Sequence, residues 1–336
     1  MCRRELRPTL RSTGRAGTRL LLSEHRRGSP VSLIRLASRN TRAARASSGR
    51  VKMKRTALLA LGAWLLSALA VAQAPDLVGE YMATPFVEDG KPVRLELLVR
   101  KPQGPGPFPT VVFNHGSTGR GDNPDLFKRS WTSAAAANYF VERGWMVIFP
   151  QRRGRGGSDG RYDEGFEPDR SRYSCQLGHS LPGVDRAIQD LDVVMAHIRA
   201  RPDVVQSRIL LAGQSRGGIL SIAYAGERPD AFIGVINFVG GWMGDQCTNA
   251  IRINTATFKR GAKFPRPTLW LYGESDPFYA LSHSKGNFEA FVAAGGKGRF
   301  ESYWVPGQNT GHAVLAHPHL WTEEVGKYLD SVTSPR

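Results

Sequence analysis

Short apolar runs alternate with segments of helical spacing from residue 93 almost to the C-terminus. Strands are predicted at 93–99, 111–113, 145–149, 209–213, 233–239, 268–272 and 300–305, and helices at 131–143, 184–200, 216–227, 283–294 and 320–332. The first strand, 93–99, can pair antiparallel. Strands that alternate with helices in this way are typical of a mostly parallel sheet with helices on both faces. The sequence therefore predicts one α/β domain.

A long segment between the third strand and the next helix breaks this alternation. Residues 150–183 are rich in Gly, Arg and Asp and show no clear periodicity. Loops of this length in a compact domain are usually functional. We therefore expect this insertion to form a lid or a pocket wall.

The most informative motif is Gly213-Gln214-Ser215-Arg216-Gly217, which follows the apolar run 209–213 and precedes a helix. A strand, Gly-x-Ser-x-Gly and a helix in that order describe a nucleophile elbow, a sharp turn that exposes the serine hydroxyl above a sheet. A Cβ at 213 or 217 would collide with the neighbouring strand or helix, which explains both glycines. Ser215 is therefore the candidate nucleophile, and an ordinary turn serine is the alternative.

The loop after the strand 111–113 suits oxyanion binding. Residues 114–119, Asn-His-Gly-Ser-Thr-Gly, are mostly small. Such a loop can offer a backbone N–H to a developing oxyanion, and the residue after the nucleophile offers another. We expect these donors to be the amides of Ser117 and Arg216, and we expect His115 to be a structural loop histidine.

Candidates for the acid and the base follow two later strands. Asp276 comes directly after the strand 268–272, with Glu274 and Asp245 as its alternatives. His312 lies in the loop beyond the strand 300–305. Its rivals are His283 within a predicted helix and His317 and His319 at a helix start, all of which we expect at the surface.

The order Ser215, Asp276, His312 matches the chain order of α/β-hydrolase triads. Over about residues 93–332 the chain resembles the α/β-hydrolase superfamily, in particular its dienelactone-hydrolase-like and prolyl-oligopeptidase-like branches. Residues 153–158, Arg-Gly-Arg-Gly-Gly-Ser, are similar to a turn after the fourth strand of those families. The chain departs from the pattern in three ways: Gln151 stands where that turn usually begins with Asp, Ser215 replaces the cysteine of dienelactone hydrolases, and no propeller-sized extension is present.

The resemblance and these residues together imply a serine hydrolase that works through an acyl-enzyme. Carboxylic esters of small to medium size are the expected substrates. A peptidase or amidase for short peptides is one alternative, and a non-catalytic binding protein with the same fold is another. The chemistry requires no metal and no nucleotide cofactor, and the pair His317 and His319 lacks further metal ligands nearby.

The charge of the chain is concentrated at its start. The whole sequence carries a net charge of +17, but residues 1–55 contain 16 of the 46 Lys and Arg residues and only two acids, so the remainder carries only +3. No nucleic-acid partner is therefore expected. We interpret residues 1–52 as a mis-assigned start or a disordered leader, with a mitochondrial transit peptide as the less favoured interpretation.

Residues 53–72 resemble a secretory signal peptide. A basic start, an apolar run at 57–72 and the small-x-small sequence Ala70-Val71-Ala72 predict cleavage after Ala72. The run is too short for a comfortable membrane span, so we expect no permanent anchor. Residues 73–336 are then the hydrolase domain, secreted or periplasmic.

Several other side chains each have two interpretations. Cys175 and Cys247 either form a disulfide that ties the lid to the loop after the strand 233–239, or remain two unpaired small hydrophobic residues. An arginine cluster either holds a substrate carboxylate or is solvated or paired within the protein. Three aromatic residues either line an acyl pocket or pack in the core, and the core is favoured. The cluster is Arg152, Arg153 and Arg155, and the aromatic residues are Trp131, Trp242 and Tyr279.

Overall fold

A computed structural model describes residues 76–334 of the protein. The predicted leader 1–52, the signal segment 53–72 and the cleavage site after Ala72 lie outside the described residues. Eight strands form one sheet: β1 Val78–Glu88, β2 Lys91–Arg100, β3 Phe108–Asn114, β4 Met146–Pro150, β5 Val204–Gln214, β6 Gly234–Phe238, β7 Thr268–Gly273 and β8 Gly298–Tyr303. No helix in this part of the chain is long and apolar enough to cross a membrane.

The sheet is parallel from β4 to β8 and antiparallel at one edge. Its strand order is β1-β2-β4-β3-β5-β6-β7-β8, and only the β1–β2 and β2–β4 pairs are antiparallel. Every residue of β4, β6 and β7 is buried, as expected for parallel strands that are covered on both faces. This architecture confirms the predicted α/β-hydrolase fold and the antiparallel pairing of the strand around 93–99.

The helices pack in two groups around this sheet. They are α1 Asp125–Lys128, α2 Ala134–Val141, α3 Leu177–Arg199, α4 Arg216–Glu227, α5 Ala250–Arg260, α6 Leu281–Ala293 and α7 Pro318–Thr333. Helix α2 contacts α7, and α5 contacts α3, α4 and α6. Between α2 and α7, the rings of Tyr139 and Trp321 lie 5.0 Å apart.

The sequence pattern missed one strand. The segment 93–99 is not the first strand, because β1 precedes it. Strand β1 lies at the edge of the sheet, and only Met82 on it is buried. Its pairing with β2 is interrupted between Ala83 and Val87, around Pro85, which cannot donate to the ladder. An exposed, bulged edge strand has no apolar alternation to reveal it.

Three helices also differ from the pattern, and one of them is the single-turn helix α1, which was not predicted. Helix α3 begins at Leu177, seven residues before the predicted start, and carries Pro182 inside its first turns. The amides of His179 and Ser180 both donate to the carbonyl of Gln176, which starts the helix ahead of the proline. Helix α5 was not predicted, because apolar residues are few in it and one of them, Ile251, is exposed.

An ion-pair cluster fastens β1 to the start of β5. Asp203 accepts hydrogen bonds from Arg201 Nε at 2.9 Å and lies 2.6 Å from Lys101 Nζ, while Arg201 also pairs with Glu80. Burial raises the pKa of Asp203, but the hydrogen bonds from Arg201 and Lys101 outweigh it and lower the pKa to about 2. The carboxylate therefore stabilises the fold when it is ionised.

We predict that Asp203→Asn costs about 1 kcal/mol of unfolding free energy at pH 7, a value that allows for solvent screening. A folded-state pKa below the unfolded value gives stability that is present above pH 4 and is lost as the pH falls towards 2. Urea unfolding of both proteins at pH 7 and at the lowest pH where they remain folded should show the difference shrinking in acid. A constant difference would contradict an ionic origin.

Candidate active site

Ser215 occupies a strained turn between β5 and α4. Its backbone angles are φ 56° and ψ −125°, a region that non-glycine residues rarely adopt. A Cβ on Gly213 would collide with the carbonyl of Gly217, and a Cβ on Gly217 would collide with the carbonyl of Asn114 on β3. The structure therefore has the predicted close contacts: Gly213 packs against helix α4, and Gly217 packs against strand β3.

Backbone hydrogen bonds from the next strand hold this turn in place. The Ser215 amide donates to the Phe238 carbonyl at 2.9 Å, and the Gly241 amide donates to the Ser215 carbonyl at 3.3 Å. Ser215 is 7% exposed. The serine is therefore fixed at the carboxyl edge of the sheet while its side chain still reaches a cavity.

The loop after β3 runs directly beside Ser215. Gly116 lies so close that a Cβ there would be 3.2 Å from the Ser215 Cβ. The amides of Ser117 and Arg216 donate to no acceptor within residues 76–334. Both residues line the cavity that Ser215 faces. The two predicted oxyanion donors are thus brought to the same place with their N–H groups available.

His115 is structural, as predicted. Its Nδ1 lies 2.7 Å from the Gly116 carbonyl, and its Nε2 accepts from the Arg152 amide at 3.2 Å. Burial, followed by the charges of Arg152 and Arg155, holds the pKa of His115 well below its usual range. With both ring nitrogens in use, this neutral imidazole offers no second base.

Asp276 and His312 meet beside the serine. The distance from His312 Nδ1 to Asp276 Oδ2 is 2.8 Å, and the Asp276 side chain is fully buried. The other carboxylate oxygen accepts from the amides of Phe278 at 2.8 Å and Tyr279 at 3.2 Å. His312 lines the same cavity as Ser215, and the Gln214 side chain donates to the His312 carbonyl at 3.2 Å. Three residues that are distant in sequence therefore converge.

The rival acids and bases lie elsewhere. Glu274 is exposed, and Asp245 Oδ2 accepts the Ala280 amide at 2.8 Å. His283 is half-buried and not at the surface as expected, because its Nε2 pairs with the Asn254 amide group at 2.9 Å. His319 is exposed, and His317 is half-buried.

The cavity above Ser215 has a volume of about 190 Å³ and largely aromatic walls. Trp242 and Tyr279 are buried in the core, as the sequence favoured, and both also line the cavity. Trp131 instead packs with Phe113, with 5.8 Å between ring centroids. Burial raises the pKa of the Tyr279 phenol to about 12, so it stays protonated near neutral pH. The full lining is Ser117, Gly119, Tyr173, Ser215, Arg216, Trp242, Met243, Gly244, Phe278, Tyr279 and His312.

A larger hollow of about 950 Å³ lies away from this chemistry. Its wall includes Lys91, Arg94 and Asp159, and none of Ser215, Asp276 and His312. Arg94 and Asp159 pair across it at 2.9 Å. Its charges are partly neutralised by one another, and it lacks a nucleophile, so the smaller cavity is the candidate site.

The predicted insertion folds as an irregular loop, residues 151–176, that we call the lid loop. The arginine cluster in it is bound within the protein. Arg152 pairs with Glu164, Arg153 pairs with Asp190 of α3 at 2.5 Å, and Arg155 donates to the Leu126 carbonyl at 3.2 Å. All three arginines are buried. None of them lines the cavity, so the internally paired interpretation fits the structure.

Sequence reasoning missed the lid-loop residues that reach the cavity wall. Tyr173 lies over the Arg216 guanidinium, with 3.4 Å from its ring centroid to the guanidinium carbon. The Glu164 carbonyl accepts from Arg216 Nη1 at 2.7 Å. The only available signal was the presence of an arginine directly after the nucleophile, because a buried guanidinium requires acceptors and packing partners from somewhere.

The structure joins Cys175 and Cys247 in a disulfide, with 5.6 Å between their Cα atoms. Cys175 lies near the end of the lid loop, and Cys247 lies between β6 and α5. The Asn249 side chain also donates to the Cys175 carbonyl at 3.1 Å. Of the two interpretations left open by the sequence, the structure has the paired one.

Within the described part of the chain, no three His, Cys, Asp or Glu side chains come together as metal ligands. The rings of His317 and His319 are 5.8 Å apart without a third ligand. The cavity residues supply hydroxyl, imidazole, guanidinium and aromatic groups, which suit an organic substrate.

Comparisons with known proteins agree with this fold. A family model described as serine aminopeptidase, S33, matches residues 124–246, a stretch that contains Ser215 but ends before Asp276 and His312. No curated protein matches the sequence.

Three solved structures have a similar fold at low identity. Est1E from Butyrivibrio proteoclasticus, solved with ferulic acid bound, is 16% identical with a TM-score of 0.51, over 72% of this chain and 95% of that one. The Pyrococcus furiosus esterase Pf2001 is 15% identical with a TM-score of 0.51, over 75% and 90%. An acylaminoacyl peptidase is 15% identical with a TM-score of 0.51, over 77% of this chain but only 41% of its own.

These structures are similar to the chain in fold, and in this chain the sheet brings the turn of Ser215, Asp276 and His312 to one edge. The chain therefore has the α/β-hydrolase fold.

Proposed function

We propose that the protein is a serine hydrolase that cleaves carboxylic esters through an acyl-enzyme on Ser215. One observation carries this proposal: Ser215, the His312–Asp276 pair and two unengaged amides surround a single cavity. Each group has a role in acyl transfer that its position allows.

In the first step His312 Nε2 accepts the proton of the Ser215 hydroxyl while the oxygen attacks the ester carbonyl carbon. The carbonyl oxygen becomes an oxyanion, which the amides of Ser117 and Arg216 stabilise. Removal of one such donor typically costs about 3 to 4 kcal/mol of transition-state stabilisation. Asp276 holds the imidazole tautomer and stabilises its charged form.

Collapse of the tetrahedral intermediate breaks the bond to the leaving alcohol, which takes the proton from His312. Water then enters, gives a proton to His312 and attacks the acyl-enzyme, and the proton returns to Ser215 as the acid leaves. The protein returns to its starting state, and the net reaction is hydrolysis of the ester to an acid and an alcohol.

The cavity size and walls support ester substrates of small to medium size. A volume of about 190 Å³ holds a compact acyl group, and Tyr173, Trp242, Phe278 and Tyr279 make it largely apolar. The bound ferulic acid of Est1E is an aromatic acid, so aromatic acyl groups belong in the test panel. The acylaminoacyl peptidase and the aminopeptidase family model favour short peptides as the second candidate substrate class.

The test is covalent labelling with a fluorophosphonate probe. We predict that the wild-type protein is labelled and that Ser215→Ala is not, while Ser302→Ala, which changes an exposed serine on β8, is labelled like the wild type. Hydrolysis of short-chain and aromatic esters is then compared with hydrolysis of dipeptide amides. An unlabelled wild-type protein would favour a binding role for the fold, and faster amide cleavage would favour the peptidase.

We further propose that the enzyme acts outside the cytoplasm. The signal-like segment 53–72 and the Cys175–Cys247 disulfide support this location, because disulfides persist in oxidising compartments. Expression of the full chain and N-terminal sequencing of the product should give a terminus at or near Gln73. A cytoplasmic product that retains residues 53–72 would contradict export.

A further inference from the structure

Tyr173 of the lid loop contacts the backbone next to one proposed oxyanion donor and the side chain of the other. Its hydroxyl accepts the Thr118 amide at 3.3 Å, one residue beyond Ser117. Its ring contacts the guanidinium of Arg216, with 3.4 Å from the ring centroid to the guanidinium carbon. The backbone amides of Ser117 and Arg216 are the two proposed donors, so one side chain contacts the surroundings of each.

The hydrogen bonds around the Tyr173 hydroxyl are directional. Tyr162 donates to Glu164 Oε2 at 2.9 Å, so the Tyr162 oxygen is free to accept, and the Tyr173 hydroxyl lies 3.2 Å from it. The Thr118 hydroxyl donates to the Arg120 carbonyl at 3.1 Å. A Tyr173 proton directed to Tyr162 leaves the Tyr173 lone pairs for the Thr118 N–H. This arrangement holds the loop 114–119 by its backbone.

The Arg216 side chain is held by two aromatic rings and two polar contacts. The Trp242 ring also lies close to it, with 4.4 Å from its centroid to the guanidinium carbon. Nη1 donates to the Glu164 carbonyl at 2.7 Å, and Nη2 contacts the sulfur of Met243 at 3.4 Å. Because Arg216 is the first residue of α4, a fixed side chain also fixes the orientation of its amide.

We propose that Tyr173 is a positioning residue for the oxyanion hole, holding the amides of Ser117 and Arg216 at the separation that a tetrahedral intermediate requires. It touches no reacting atom in this role. The proposal rests on the proposed hydrolase activity, and it predicts an effect on the transition state rather than on substrate binding.

The test variant is Tyr173→Phe, which removes the hydroxyl and keeps the ring over Arg216. We expect kcat for an ester to fall roughly five- to tenfold, with KM changed by less than about twofold, because one indirect hydrogen bond is lost. Tyr303→Phe is the matched control, since the buried Tyr303 hydroxyl has no hydrogen-bond partner in the described chain and lies outside the cavity lining. That control should keep wild-type kcat and KM.

A second measurement separates positioning from general loosening of the fold. A trifluoromethyl ketone analogue of the ester forms a tetrahedral oxyanion on the serine, so its inhibition constant should weaken in Tyr173→Phe by the same factor as kcat. The inhibition constant of the acid product, which forms no oxyanion, should stay within about twofold. Thermal unfolding of both variants is measured alongside.

Three outcomes would overturn the proposal. These are an unchanged kcat in Tyr173→Phe, a fall in kcat that Tyr303→Phe shares, and a fall without equal loss of ketone affinity. If the wild-type protein neither reacts with the fluorophosphonate probe nor hydrolyses esters, the proposed function itself has failed. If the wild-type protein is active and Tyr173→Phe has the same kcat, only the role proposed for Tyr173 is rejected.

Discussion

Replacement of Asp276 by Asn should lower kcat for ester hydrolysis about 10⁴-fold with little change in KM. The Asp276 side chain is fully buried and receives His312 Nδ1 at 2.8 Å. In the variant, the amide oxygen keeps the hydrogen bonds from Phe278 and Tyr279, which turns the amide nitrogen towards His312. An N–H facing Nδ1 requires the tautomer that carries its proton on Nε2, and that nitrogen can then no longer accept the serine proton.

Glu274→Gln provides the matched control, because it makes the same chemical change two residues away on an exposed side chain. The control should keep wild-type kcat, and both variants should unfold close to the wild-type temperature. Steady-state kinetics on the best ester of the panel measures the effect. Equal activity of Asp276→Asn and wild type, or loss of activity in Glu274→Gln, would show that Asp276 is not the acid.

The sequence predicted those parts of the fold that depend on local sterics and on burial. The elbow was predictable because a strand, two glycines and a helix leave one backbone path, and the structure has the expected collisions at Gly213 and Gly217. The strands β4, β6 and β7 and the buried second half of β5 were predictable because burial on both faces makes their sequences mostly apolar. Residues placed after the carboxyl ends of parallel strands then share one edge of the sheet, which brings Asp276 and His312 towards Ser215.

The lid loop could not be predicted in the same way. Glu164 and Tyr173 reach Arg216 through a loop without periodicity, and their positions follow from ion pairs and stacking rather than from spacing. Arg152 and Arg153 could equally have faced solvent, since their partners Glu164 and Asp190 are distant in sequence. Such contacts depend on the finished tertiary structure.

Backbone strain around the site was also hidden. Ser215, Val239, Ser275 and Asn309 all have positive φ, and they follow β5, β6, β7 and β8 respectively. Only the first could be expected, from its motif. Positive φ is costly for a β-branched residue such as Val239, and strain of this kind tends to gather where a site must hold a precise geometry. The sequence around Val239 does not predict its positive φ.

The double substitution Cys175→Ser and Cys247→Ser should lower the free energy of unfolding by about 4 kcal/mol, because a cross-link over 72 residues restricts the unfolded chain. Guanidinium unfolding of the two oxidised proteins measures this loss. Dithiothreitol should lower the stability of the wild type towards that of the double variant and leave the variant unchanged. Equal midpoints for the oxidised proteins would show that the disulfide does not form in solution.

The same variant should also lose activity, because Tyr173 lies two residues before Cys175 and contacts both the Thr118 amide and Arg216. Release of the lid loop from the loop after β6 frees Tyr173 to move away from the cavity that it lines. We expect kcat to fall at least as far as in Tyr173→Phe, since the ring contact with Arg216 is weakened together with the hydrogen bond. A variant that loses stability but keeps wild-type kcat would show that Glu164 and the stacking on Arg216 hold the lid loop without the disulfide.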